Sequence, residues 1–209
     1  KELADIEAVY SPDKLLMVGF NRRYAPQVLK IKSLLQAVPG PKALIMTVNA
    51  GLVPASHWSQ DLKVGGGRII GEACHFIDLQ RYLVGQPITG WSCNSMSIAT
   101  RDTVTINLRF ADGSTSAIHY FSNGTKSFAK ERLEVFASGR VLQLSNYRKL
   151  TGFGWPGFKT MHLWKQDKGH RACAAAFLES LRSGGPAPTP ISEVLEVSRV
   201  SIEIAQAIK

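Results

Sequence analysis

Gly65-Gly66-Gly67-Arg68-Ile69-Ile70-Gly71-Glu72-Ala73-Cys74-His75-Phe76-Ile77-Asp78-Leu79 is the stretch around which the chain is organised. Three glycines make a turn, and apolar residues then recur at Ile69, Ile70, Ala73, Phe76, Ile77, Leu79 and Leu83. That spacing follows the helical repeat and predicts a helix over residues 68–84, closed by Gly85 with Pro87 beyond. On such a helix Gly71, Glu72, His75 and Asp78 fall three or four positions apart, so an acid and an imidazole can share one face. Geometry alone permits a second reading, a buried helix with a hydrogen-bonded histidine and a solvated Asp78.

Upstream, Leu3, Ile6 and Val9/Tyr10 give residues 1–10 the look of an amphipathic helix, and Ser11-Pro12-Asp13-Lys14 is a turn. Leu15-Leu16-Met17-Val18-Gly19-Phe20 is a continuous apolar run of strand length, suited to burial on both faces of a parallel sheet. A helix followed by such a strand looks like the last αβ unit of a doubly wound domain. Residues 1–23 are therefore expected to be its remnant, and the chain a piece of a longer protein. Asn21-Arg22-Arg23-Tyr24 follows at the strand's carboxyl end, where open α/β sheets bind ligands. Two adjacent arginines there can clamp an anion, or form surface or interdomain salt bridges. Pro26 begins a helix striped by Val28, Ile31, Leu34, Leu35 and Val38, and residues 43–50 read as a strand. Residues 51–64 have no period and hold His57, Trp58 and Asp61. His57-Trp58 can line a carbohydrate site, an indole face suiting a sugar ring; equally, the tryptophan can anchor the loop by burial.

Downstream the period changes to two. Residues 88–99, 103–110 and 114–122 read as strands, the last two joined at Ala111-Asp112-Gly113. Residues 132–137 and 140–145 form a hairpin about Ser138-Gly139, with a further strand near 147–150. A loop is expected over 152–158, a helix over 170–183, and a final helix from an N-cap at Ser192 with Glu193 in its first turn. The fold class is α/β (α+β): a large, mostly antiparallel open sheet with helices on one face, making up residues 24–209. Its free face must be covered by helices or by another subunit, so a homo-oligomer through the sheet is expected.

The 209 residues hold 44% hydrophobic and 20% charged side chains, ordinary globular composition. No run of about 18 apolar residues occurs, and neither a membrane helix nor a signal peptide is expected. Cys74, Cys93 and Cys173 are odd in number and widely spaced, which argues against a disulfide framework or a zinc site and suits a reducing cytoplasm. Asn123-Gly124-Thr125 matches a glycosylation sequon and is read as a turn. The net charge of +9 would suit an anionic partner, but no basic run alternates with aromatics, so nucleic acid is not the expected one.

The motifs together resemble the Gfo/Idh/MocA oxidoreductases, relatives of glucose-fructose oxidoreductase and inositol dehydrogenase, over nearly the whole chain. The resemblance rests on Leu16-Met17-Val18-Gly19-Phe20-Asn21-Arg22-Arg23-Tyr24-Ala25-Pro26, on Gly65-Gly66-Gly67 with His75 and Asp78, and on the terminal helix near Ser192. It implies an amino-terminal Rossmann domain for NAD or NADP followed by an α/β domain, with residues 1–23 closing the former. It implies that His75 is the catalytic histidine, moving the proton of a secondary alcohol on a sugar, inositol or nucleotide-sugar, with Asn21, Arg22, Arg23, His57 and Trp58 holding substrate or nicotinamide. Gly71 stands where many members have an aspartate; Glu72 can supply that carboxylate from a neighbouring angle, or form a salt bridge instead. The family's GxGxxG loop and the lysine of its Glu-Lys-Pro motif have no counterpart here, so this chain alone is expected neither to hold the dinucleotide tightly nor to turn over. The rival expectation is a non-catalytic scaffold, or an anion- or nucleic-acid-binding domain.

Overall fold

The computed structural model describes residues 2–54, 56–61 and 63–208; Lys1, Ala55, Leu62 and Lys209 lie outside them. After α1 (Glu2–Val9) and a 3-10 turn (Asn21–Tyr24) come α2 (Pro26–Gln36) and β1 (Ala43–Asn49). Then follow a π-helical turn (Ile69–Ala73), α3 (Cys74–Val84) and strands β2 (Ile88–Ser95), β3 (Val104–Phe110), β4 (Thr115–Phe121), β5 (Glu131–Ala137), β6 (Arg140–Ser145), β7 (Lys149–Phe153) and β8 (Thr160–His162). Helices α4 (His170–Ser183) and α5 (Ile191–Ala207) close the chain.

The strands form one eight-stranded sheet in the order β2-β3-β4-β1-β5-β6-β7-β8. Only β1 and β4 run parallel; every other pairing is antiparallel. Side chains alternate across the pleat, so Leu44, Met46 and Val48 of β1 are buried with Ile118 and Tyr120 of β4 and Leu133 and Val135 of β5. The core continues into Val28, Ile31, Phe76, Ile77, Leu83, Val197 and Ile204 on α2, α3 and α5, which cover that face. The opposite positions, among them Ile45, Thr47, Arg132 and Phe136, are exposed or half-buried. The hairpin at Ser138-Gly139 holds both residues at positive φ (46° and 74°), the left-handed pair that matches strand twist.

Several sequence expectations are corrected. Residues 15–20 run outside the sheet: no described strand lies beside them, and the backbone bonds at their end are local, Phe20 N–H to the Val18 carbonyl and Asn21 N–H to that of Gly19. Leu15, Leu16 and Met17 are only half-buried, and Val18 is exposed. The helix over 68–84 opens with a wider π turn. Strand β7 extends to Phe153, into the expected loop, and β8 is additional. Pro190, not Ser192, precedes the last helix. Asp78 is not solvated; it is fully buried.

The reason is Arg23. Its guanidinium donates to both Asp78 oxygens (2.6–2.9 Å) and, through Nη1, to Glu193 of α5 (2.6 Å). Burial pushes the Asp78 carboxyl up to about 6, and the adjacent guanidinium keeps that shift from going further. Leaving Arg23 buried without its acid costs about 3–5 kcal/mol. Asp78→Ala, which leaves Arg23 only Glu193, should therefore lower the unfolding free energy from urea titration by up to that amount without changing the m-value, whereas Arg199→Ala, which breaks the exposed pair with Glu7, should cost about 1 kcal/mol or less.

Candidate active site around His75

His75 lies in the first turn of α3, directly after the π turn. The inserted residue of a π turn re-aims the side chains that follow, and such turns recur at functional sites. The imidazole is half-buried and meets the Phe20 ring edge-on, with centroids 5.8 Å apart. Its Nδ1 is buried and has no hydrogen-bond partner, so the satisfied core histidine that helix geometry allowed is not what the fold contains. Arg22, Glu131, Glu72 and His170 supply the charges around it. Burial and then Arg22 push the imidazole down to about 4, against the opposing pull of Glu131 and Glu72. Near neutral pH it is an uncharged ring with one N–H and one free lone pair, able to accept a proton.

Glu72, three residues earlier, does not bond to His75. Its Oε2 accepts from Tyr120 Oη (2.5 Å) and Arg68 Nη2 (3.1 Å), and its Oε1 from Lys130 Nζ (2.7 Å). Burial pushes its carboxyl up, but Lys130, Tyr120 and Arg68 more than offset that and hold it at about 2. Arg68 is anchored further by the Ala50 and Gly51 carbonyls and by Asp102, which also accepts from Gln60, Thr100 and Ser122. The cage thus ties the π turn to the ends of β1 and β4.

Glu131, next in sequence to Lys130, opens β5 and serves a different partner. Arg22 grips it with two bonds (2.9 and 3.1 Å) while lying over the Phe76 ring, and Lys168 Nζ adds a third at 2.6 Å. Burial raises the Glu131 carboxyl, and these two cations pull it below its usual range. Lys168 is set in place because Gly169, at φ +81°, presses the start of α4 onto the 3-10 turn. A Cβ there would lie 2.4 Å from the Asn21 carbonyl oxygen. Asn21 donates its side-chain amide to the Lys168 carbonyl (2.8 Å). Tyr147, fully buried and at φ +53°, completes the cluster under Lys168.

The structure thus brings Asn21, Arg22, Glu72 and His75 to one region. It commits both arginines to buried carboxylates, in place of the surface or interdomain bridges considered from sequence. His57 and Trp58 stand elsewhere, on the loop after β1. The His57 ring accepts from Ser59 N–H, and Trp58 is 64% exposed, so it does not anchor the loop by burial. Glu131, Lys130, Lys168, Tyr120 and Tyr147 were not singled out from sequence. The one available signal was the charged pair Lys130-Glu131 directly before an alternating apolar strand. Cys74 is pushed up to about 12 by burial and stays a thiol. Among the described residues no group of three or more His, Cys, Asp or Glu side chains is placed to hold a metal, and no helix is long and apolar enough to cross a membrane.

Residues 43–142, from β1 into β6, match the GFO/IDH/MocA C-terminal domain. Over that segment the chain is similar to the Gfo/Idh/MocA family. It is 24% identical over 156 residues to myo-inositol 2-dehydrogenase of Thermotoga maritima, an alignment covering 70% of this chain and 46% of that protein. An oxidoreductase domain protein from Kribbella flavida has the same fold, with a TM-score of 0.83 at 15% identity over 99% of this chain and 68% of that one. A levoglucosan dehydrogenase in complex with NADH and levoglucosan superposes with a TM-score of 0.80 at 19% identity, again covering 99% and 68%. The chain thus spans about half the length of the curated relative it matches.

The Gly65-Gly66-Gly67 turn does not have the form of a dinucleotide phosphate loop. A pyrophosphate cradle needs a glycine turn between a parallel strand and a helix N-terminus. Gly66-Gly67 instead follows a loop and leads to Arg68, whose guanidinium is already paired with Asp102 and Glu72. The pH dependence of the site is nonetheless testable in this chain. Between pH 6.5 and 4 the unfolded chain takes up a proton that folded His75 refuses, so stability falls as pH falls through that window. Urea unfolding across it should give a shallower acid limb for His75→Gln than for the parent.

Proposed function

We propose that this chain is the substrate-side part of an NAD(P)-dependent oxidoreductase acting on a secondary alcohol of a sugar, inositol or nucleotide-sugar. In the whole protein His75 takes the hydroxyl proton on oxidation and returns it on reduction. The observation that carries this is His75 itself: an uncharged, half-buried imidazole left without a hydrogen-bond partner on Nδ1, amid carboxylates already neutralised by other cations. The named chemistry of the inositol and levoglucosan relatives supports the substrate class. Glu72, ionised down to about pH 2, then contributes a fixed charge and carries no proton. Asn21 and Arg22 frame the site, Arg23 holds the turn that carries them, and His57 and Trp58 remain the candidates for touching a sugar ring. Residues 1–23 are read as the end of a Rossmann domain whose remaining strands flank residues 15–20, and the dinucleotide is held there. We place the protein in the cytoplasm, consistent with three unpaired cysteines.

Titrating this chain with NADH while following fluorescence should show no micromolar binding; such binding would overturn the division of labour. In the full-length protein His75→Ala should cut kcat by roughly 100-fold or more with assembly unchanged. Unchanged turnover would refute the catalytic role.

A scaffold role is favoured by one observation. On the helix-free face Ala43, Phe136, Val141 and Phe153 stand side by side as an apolar row across β1, β5, β6 and β7. Phe136 is 41% and Phe153 53% exposed. A second copy packed on this row makes the expected homo-oligomer, and this contact is compatible with catalysis. Light scattering should report an oligomer for the parent and a smaller species for the Phe136→Glu, Phe153→Glu double variant.

A further inference from the structure

Helix spacing puts Glu72 and His75 on neighbouring positions of one face, yet the two do not bond. The carboxylate is held away by specific donors. Oε2 is taken twice, by Tyr120 and Arg68, and Oε1 once, by Lys130 at 2.7 Å. Tyr120 is fully buried on β4, and the Arg68 side chain is 5% exposed and pinned by two carbonyls and Asp102, so neither is free to leave. The Lys130 side chain is 41% exposed and makes no other ion pair among the described residues. It is the only replaceable member of the cage.

We propose that Lys130 is a positioning residue for His75: by occupying Oε1 it holds the Glu72 carboxylate toward β4 and β5 and keeps it from pairing with the imidazole. The proposal rests on the reading of His75 as the acid–base group for its functional meaning, though its geometry stands without it. The charged and titratable groups facing His75 are Arg22 on the 3-10 turn, Glu131 on β5, Glu72 on the π turn and His170 at the start of α4. Arg22 and Glu131 are locked together by two bonds, with Lys168 on the same carboxylate. Glu72 is therefore the one anion near His75 whose hold can be loosened by losing a single half-exposed side chain. With Lys130 gone, Oε1 has no donor. A carboxylate three residues from a ring with an available N–H then gains most by turning toward it, and an imidazole beside an anion takes up its proton more readily.

The test is an NMR pH titration of the His75 ring in this chain, in the parent and in Lys130→Met, Lys130→Arg and the Lys130→Met, Glu72→Gln double variant. The expected result is a rise of roughly one pKa unit in Lys130→Met, none in Lys130→Arg, and its loss in the double variant. Lys130→Gln stands in should the methionine variant fold poorly. An unchanged His75 titration in the neutral variants overturns the proposal, as does a rise that persists when Glu72 is also removed. Because the titration needs no turnover, its failure leaves the oxidoreductase reading standing. Conversely, an inactive full-length enzyme with the expected shifts would reject that reading and keep the positioning role.

Discussion

Two arginines in succession on one short turn constrain everything around them. A guanidinium does not shed its charge in a protein, so burying Arg22 and Arg23 obliges the fold to bring carboxylates to both. Their side chains leave the 3-10 turn in different directions. One meets Glu131 at the head of β5, and the other meets Asp78 on α3 and Glu193 on α5. Turn, strand and both helices are thereby mutually placed. The value of these pairs lies less in net stability, which desolvation largely cancels, than in the cost of any arrangement that leaves one charge unpaired.

The same constraint reaches the site through the chain neighbour of Glu131. Once Glu131 is fixed on Arg22, Lys130, the residue just before β5, is carried beside it and reaches Glu72 on the π turn. Arg22 also lies over Phe76, the residue after His75, so the helix bearing the imidazole is held by the same guanidinium that depresses its proton affinity. Packing and electrostatics here are one set of contacts. Gly169 extends them to α4 by allowing backbone against backbone, which puts Lys168 onto the remaining side of Glu131.

Local pattern was enough to read most elements. The apolar stripe of α2, the alternation of β3 through β6 and the Gly85 stop of α3 are all short-range signals, and each stands within a residue or two of its expected place. Sheet order was not legible. Nothing in residues 43–49 says that this strand enters the middle of the sheet, parallel to β4, because that depends on partners more than sixty residues away. The run at 15–20 shows the converse. Its composition describes a strand, but a strand exists only where neighbours supply its ladder. At the site, His75 and Glu72 were legible because helix periodicity projects from sequence. The cage around Glu72 was not, since Tyr120 and Lys130 come from distant strands and look like an ordinary core tyrosine and an ordinary surface lysine.

What separates His75 from its surroundings is the bookkeeping of charge in a place where changing it is expensive. Glu72 has three donors, Glu131 three from two cations, and Asp102 a guanidinium and three polar side chains. Each is locked as an anion, and protonating any of them would strand a cation or a buried donor. The neighbouring thiol and the buried tyrosines are pushed the other way and stay neutral. In this cluster the imidazole is thus the group whose charge can change without breaking a bond already made. A site that must pass a proton to and from a bound alcohol needs one such group, held still by neighbours that do not respond. Rigid charges around a single responsive ring meet that requirement, and they support the proposal that assigns the acid–base role to His75 rather than to the carboxylate beside it.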